Sequence, residues 1–98
     1  MRYLFLLNPT AGKRDCTAEL APAIQAAAQR AGIPPEKRKV VVTQYAGHAR
    51  ELAAEAAHTA QADGEPVRIW TAGGDGTFNE ALTGAQGCSL AAVGCLPF

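Results

Sequence analysis

Short apolar runs alternate along the chain with stretches in which apolar residues recur at helical spacing. Arg2 to Leu7 is a brief apolar run and reads as a buried first strand. Asn8-Pro9-Thr10-Ala11-Gly12-Lys13-Arg14 follows as a loop rich in turn formers. From about Thr17 to Ala31 the period becomes helical, with Leu20, Ile24, Ala27, Ala28 and Ala31 on one face. Gly32 sits where a C-terminal cap belongs, and Pro34-Pro35 prevent continuation. Lys39 to Thr43 is a β-branched run and reads as a central second strand. Gly47-His48 open a second helix striped by Ala49, Leu52, Ala53, Ala56, Ala57 and Ala60, which ends at Asp63-Gly64-Glu65-Pro66. Val67 to Thr71 is the third strand, a helix to about Ala85 follows it, and Leu90 to Cys95 is a fourth strand.

Strands separated by amphipathic helices imply βαβ units. The expected fold is three-layer α/β/α with a parallel, Rossmann-like sheet of about four strands, covered on both faces. Residues 1–98 form one domain, with no internal repeat or linker. In such a sheet ligands bind beyond the carboxyl ends of the strands. The segments leaving those ends are Asn8 to Gly12, Thr43-Gln44-Tyr45 and Gly73 to Thr77. Turn formation alone would explain Asn8 or Thr43 singly. Three such segments on one edge favour a binding site.

The third segment, Thr71-Ala72-Gly73-Gly74-Asp75-Gly76-Thr77-Phe78-Asn79-Glu80, carries the most chemistry. Glycines let a backbone approach a ligand closely, and the N–H groups of a new helix favour an anion above the strand. Asp75 would repel a bare phosphate, so amides together with one carboxylate suit a metal-bound phosphate. Lys and Arg total 9 against 9 Asp and Glu, so no overall basic field attracts nucleic acid. A Walker loop is excluded, because Gly12-Lys13-Arg14 lacks the first glycine and the hydroxyl residue. The dinucleotide fingerprint fails at Asn79 and follows the third strand instead of the first. A protein-kinase glycine loop lacks its lysine on a following strand. Cys16, Cys88 and Cys95 show no metal-ligand spacing and read as reduced thiols of a cytoplasmic protein.

Gly73-Gly74-Asp75-Gly76-Thr77-Phe78-Asn79-Glu80 resembles the GGDGTxNE signature of the diacylglycerol kinase catalytic domain family, which includes bacterial lipid kinases and the sphingosine and ceramide kinases. Asn8-Pro9-Thr10-Ala11-Gly12 resembles that family's N-P-x-x-G, and Thr43 to Ala53 its T-x-x-x-G-H-A-x-x-L-A. The resemblance implies ATP-dependent phosphorylation of a lipid hydroxyl with Mg²⁺. It implies nucleotide contacts from Asn8, Pro9, Thr10 and Thr43, and phosphate contacts from Gly73, Gly74, Gly76 and Thr77. Asp75 would join the metal and phosphoryl-transfer network, and Glu80, in the first turn of the third helix, would support the loop. His48 is read either as a phosphate contact or as a packed or capping residue, and His58 as solvated.

Family members continue beyond the Leu96-Pro97-Phe98 segment into a G-T-G-N-D-like turn and a β-rich domain. The chain is therefore expected to be the N-terminal nucleotide-binding part of a longer lipid kinase, inactive alone. Apolar surface left uncovered by the missing domain is expected to favour a homodimer. The substrate class implies peripheral contact with the inner membrane face. Two alternatives stay open: a kinase of the NAD-kinase or phosphofructokinase type, which shares the GGDG turn, and a non-catalytic nucleotide-binding or assembly module.

Overall fold

The computed structural model describes residues 1–8, 17–72 and 74–95, and for 17–20, 74 and 75 the backbone alone. Pro9, Thr10, Cys16, Gly73 and the Leu96–Phe98 segment lie outside the described residues. In chain order the elements are β1 (Arg2–Leu7), α1 (Thr17–Arg30), a single 3₁₀ turn (Pro35–Lys37), β2 (Arg38–Val42), α2 (His48–Asp63), β3 (Val67–Ala72), α3 (Gly74–Ala85) and β4 (Ala91–Cys95). The four strands form one parallel sheet in the order β2-β1-β3-β4. The expected three-layer α/β/α arrangement is what the chain adopts.

Side chains alternate across β1, and the two faces receive different helices. Phe5 and Leu7 pack with Ile24 of α1 and Ala72, with Tyr3, Val40 and Trp70 alongside. Leu4 and Leu6 point the other way, into a larger core with Val67 and Ile69, four alanines of α2, and Ala81 and Ala85 of α3. One face is thus covered by a single helix and the other by two. Of the expected α2 stripe, Ala49, Ala53, Ala57 and Ala60 are buried, while Leu52 and Ala56 are half-buried at its margin.

The sequence reading of β2 as central is corrected by the topology. Among the described strands it lies at the edge and pairs with β1. None of its residues is fully buried. β-Branched composition reports a good fit to a pleated surface, not the number of neighbouring strands, so it cannot separate an edge from a centre.

Small residues set the distance between α2 and α3. A Cβ built on Gly84 would lie 2.2 Å from the carbonyl oxygen of Arg50 and 3.0 Å from Cβ of Ala53. The helices can approach this closely only because position 84 has no side chain. Gly94 does the same for the sheet, where an added Cβ would lie 2.6 Å from the Trp70 ring on the neighbouring strand.

The amino edge of the sheet is tied by charge. Glu65 meets Lys37 Nζ at 2.7 Å, Arg2 Nε at 2.9 Å and the Met1 amino group at 3.2 Å. Arg2 also reaches Asp63 at 2.7 Å. The Lys37 ammonium and then the amino terminus, each donating to the carboxylate, bring the Glu65 pKa down to about 2.

Two outcomes follow from this packing and this charge cluster. In an ordinary helix interior Gly→Ala stabilises by up to about 1 kcal/mol. At Gly84 the clash should reverse the sign, so Gly84→Ala is expected to destabilise by about 1–3 kcal/mol in a denaturant titration. A stabilised variant would mean the helices are not in close contact. For Glu65 the folded pKa lies below the ordinary carboxyl value, so its contribution is fully present above about pH 4.5. It is lost as the pH falls toward 2. Thermal melts from pH 6 to pH 2 should show a shallower acid loss for Glu65→Gln than for the parent chain, and parallel curves would remove Glu65 from that role.

Candidate functional site

The path of the chain through the sheet creates a crevice. From β1 it moves outward to β2 by way of α1 on one face, then returns across β1 to β3 by way of α2 on the other. It continues in that direction through α3 to β4. Right-handed crossovers require the helices to change face when the direction of travel reverses. The adjacent strands β1 and β3 therefore send their chains to opposite faces, and the gap between their carboxyl ends is the topological switch point at which ligands settle in open α/β sheets.

Hydrogen bonds gather the strand ends around that gap. The Asn8 N–H donates to the carbonyl of Ala72 at 2.9 Å, and Asn8 Nδ2 donates to Thr77 Oγ1 at 3.1 Å. The first bond continues the β1–β3 ladder, and the second joins β1 to the first turn of α3. The Leu7 carbonyl accepts from the Thr43 N–H at 2.8 Å and from Thr43 Oγ1 at 3.3 Å, which fixes the end of β2 to β1. Thr43 and Thr77 are both buried. Together with Glu80 and Tyr45, the residues Asn8, Thr43 and Thr77 line one cleft of about 570 Å³. One described residue from each of the three segments, Asn8, Thr43 and Thr77, thus lies on a single rim.

β3 runs to Ala72 and α3 begins at Gly74, so Gly74, Asp75, Gly76 and Thr77 form the first turn of the helix and not a loop before it. N–H groups in a first turn have no carbonyl partner within the helix, and the positive end of its dipole lies there. Gly76 is exposed on this turn. Among the described glycines, Gly32, Gly47, Gly64 and Gly87 have positive φ, and Gly84 and Gly94 are required by close packing. Among the described residues Gly76 has neither reason, since a Cβ there would meet none of their atoms within 4 Å.

Glu80 lies in the second turn of α3, one turn later than the sequence reading placed it. Its Oε1 accepts the N–H of Gly47 at 3.1 Å. Gly47 is the N-cap of α2 and has φ 89°. The carboxylate therefore supports the β2–α2 connection and sits beside the positive end of the α2 dipole. The glycine-rich segment and the G-H-A segment, 33 positions apart, are joined by this bond.

His48 takes the packed alternative. Its Nδ1 accepts the N–H of Gln44 at 3.0 Å, and its ring stacks on Tyr45 with centroids 4.4 Å apart and planes 15° from parallel. The Tyr45 hydroxyl donates to Glu51, and the carboxylate acceptor raises the phenol pKa above its ordinary value. Sequence reasoning placed Tyr45 in the segment leaving the second strand but gave it no role. The available signal was an aromatic residue in a loop leaving the carboxyl edge of the sheet, where no core can receive it. His58 is exposed, as expected.

Among the described residues that line the cleft there is no lysine or arginine, and Glu80 brings a negative charge. No group of three or more metal-ligating side chains occurs among the described residues. An anion held here depends on backbone N–H groups and on a cation that offsets the carboxylates. Asp75, the second residue of α3, is the acidic residue of the glycine-rich turn. A single carboxylate with phosphate oxygens and water is a donor set that suits Mg²⁺, which keeps several waters and rarely uses an all-protein cage.

Comparison with curated individual proteins gives no match. A family model does match, that of the diacylglycerol kinase catalytic domain, over residues 2–98. The match spans the whole sheet and all three helices, including the cleft and both joined segments, so the chain belongs to the diacylglycerol kinase catalytic domain family, a family of kinases.

Proposed function

We propose that this chain supplies the nucleotide-binding side of a lipid kinase, holding Mg-ATP so that its γ-phosphate passes to a lipid hydroxyl. The observation that carries the reading is Gly76. A glycine on an exposed helix turn costs helix stability, and among the described residues neither backbone conformation nor packing calls for one. A phosphate drawn up to the first turn of α3 does call for one, because a side chain would stand between ligand and backbone. Family membership supports the kinase chemistry and the lipid acceptor.

In this reading the first-turn N–H groups of α3 hold the phosphates. Asn8 keeps that turn in register with β1 through Thr77, and Thr43 borders the nucleotide from the end of β2. Asp75 would hold the metal. Magnesium bound there supplies charge neutralisation for the phosphate oxygens, on which phosphoryl transfer depends. Glu80 contributes by fixing Gly47 and so the far wall of the cleft. Positioning and electrostatic stabilisation supply most of the acceleration in this kind of reaction, and a rigid rim of strand ends suits that task. The acceptor class would bring the chain to a bilayer surface. No helix among the described residues is long and apolar enough to cross a membrane.

Isothermal titration with Mg-ATP tests the site. Gly76→Ala should fold with stability within about 1 kcal/mol of the parent and lose about tenfold or more in nucleotide affinity. Unchanged affinity would remove the reason given for the glycine. Asp75→Ala should bind nucleotide equally with Mg²⁺ or with EDTA, whereas the parent should bind more tightly with the metal. In the protein isolated from its natural source, label from γ-labelled ATP should enter the organic phase with lipid. Label recovered in a soluble acceptor such as NAD⁺ would reassign the substrate.

A further inference from the structure

Tyr45 is an exposed aromatic member of the cleft. Its side chain is 56% exposed, one of three large hydrophobic residues left in solvent among the described residues. Yet the ring is held firmly. Its hydroxyl donates to Glu51 in the first turn of α2, and one face lies on the His48 imidazole. His48 is itself set in place as the first residue of α2 and by the Gln44 N–H donated to Nδ1. That bond requires Nδ1 to be an acceptor, so the neutral ring carries its proton on Nε2. Holding an exposed aromatic side chain in one orientation costs conformational entropy, and little apolar burial offsets it here.

His48 lies on one face of the ring, and Tyr45 lines the same cleft as Asn8, Thr77 and Glu80. The cleft falls within the size range of small-molecule sites. Phosphates at the first turn of α3 would occupy the end of the cleft formed by Asn8 and Thr77. The aromatic ring belongs to the other wall, the β2–α2 connection that Glu80 secures through Gly47. A ligand with an anionic end and a flat, apolar end matches that division.

We propose that Tyr45 is the platform on which the nucleobase of the bound nucleotide stacks, an inference that rests on the nucleotide reading above. Stacking on an aromatic face is available to any base, so the platform supplies affinity for a nucleoside over bare polyphosphate and little choice between adenine and guanine. The Glu51 and His48 contacts pre-orient the ring and lower the cost of ordering it on binding.

The test compares Mg-ATP with magnesium tripolyphosphate, which carries the phosphates without a base, on the full chain by isothermal titration. The parent should prefer ATP. Tyr45→Ala should weaken ATP by about 5- to 150-fold, the loss expected for removing one base–aromatic stack, and leave tripolyphosphate unchanged. Tyr45→Phe keeps the ring and should retain most of the preference. Unchanged ATP affinity in Tyr45→Ala, or equal losses for both ligands, would overturn the platform while leaving the phosphate site standing. A parent chain that binds neither ligand would overturn the nucleotide reading and the platform with it. Nuclear Overhauser contacts between the Tyr45 ring protons and the base of bound ATP, measured on the parent, give a check that needs no variant, and their absence would also overturn the platform.

Discussion

The placement of β1 between β2 and β3 is the constraint from which the site follows. Leu7 pairs with Val42 on one side and with Ala72 on the other, so three strands end at the same level of the sheet. The segments that leave them start from one rim because the ladders are in that register. Parallel ladders leave little freedom here, since a one-residue slip would exchange Leu4 and Leu6 for Phe5 and Leu7 on faces that receive different helices. Asn8 then turns the strand end into a connection, with its backbone continuing one ladder and its side chain reaching the first turn of α3.

The two edges of the sheet carry different electrostatics. At the amino edge, Glu65 gathers two basic side chains and the amino terminus, and the charges satisfy one another at the surface. Pairs this exposed contribute modestly to stability. At the carboxyl edge, the described residues lining the cleft include no basic side chain, and an acidic residue is present. Such a lining suits an anion that arrives with its counter-cation better than a bare one. Local dipoles from α2 and α3, both starting at this edge, provide the field that overall charge does not.

Close packing on the two-helix face also serves the site. Gly84 lets α3 lie against the backbone of α2, and the same pair of helices brings Glu80 within hydrogen-bonding distance of Gly47. A bond of this kind needs the positions of both helices to be set by packing, because a flexible carboxylate would otherwise remain in water. The alanine-rich stripe of α2 serves the same end, since small side chains bury fully without holding the helix away from the sheet.

Much of this was legible beforehand, for identifiable reasons. Hydrophobic periodicity located the four described strands and three α-helices, because burial on one face or two leaves a period in the chain. The three-residue-type signature of glycine, carboxylate and hydroxyl at 73–77 pointed to phosphate chemistry, because those groups have few other uses together. What the sequence could not determine depends on distance between residues remote in the chain. The edge position of β2, the reach of Glu80 across to Gly47 and the clamp on Tyr45 are all of this kind. So is the standing of Gly76, which no contact among the described residues requires to be glycine. Local preference is written residue by residue, but proximity is a property of the packed whole, and only the tertiary structure decided it.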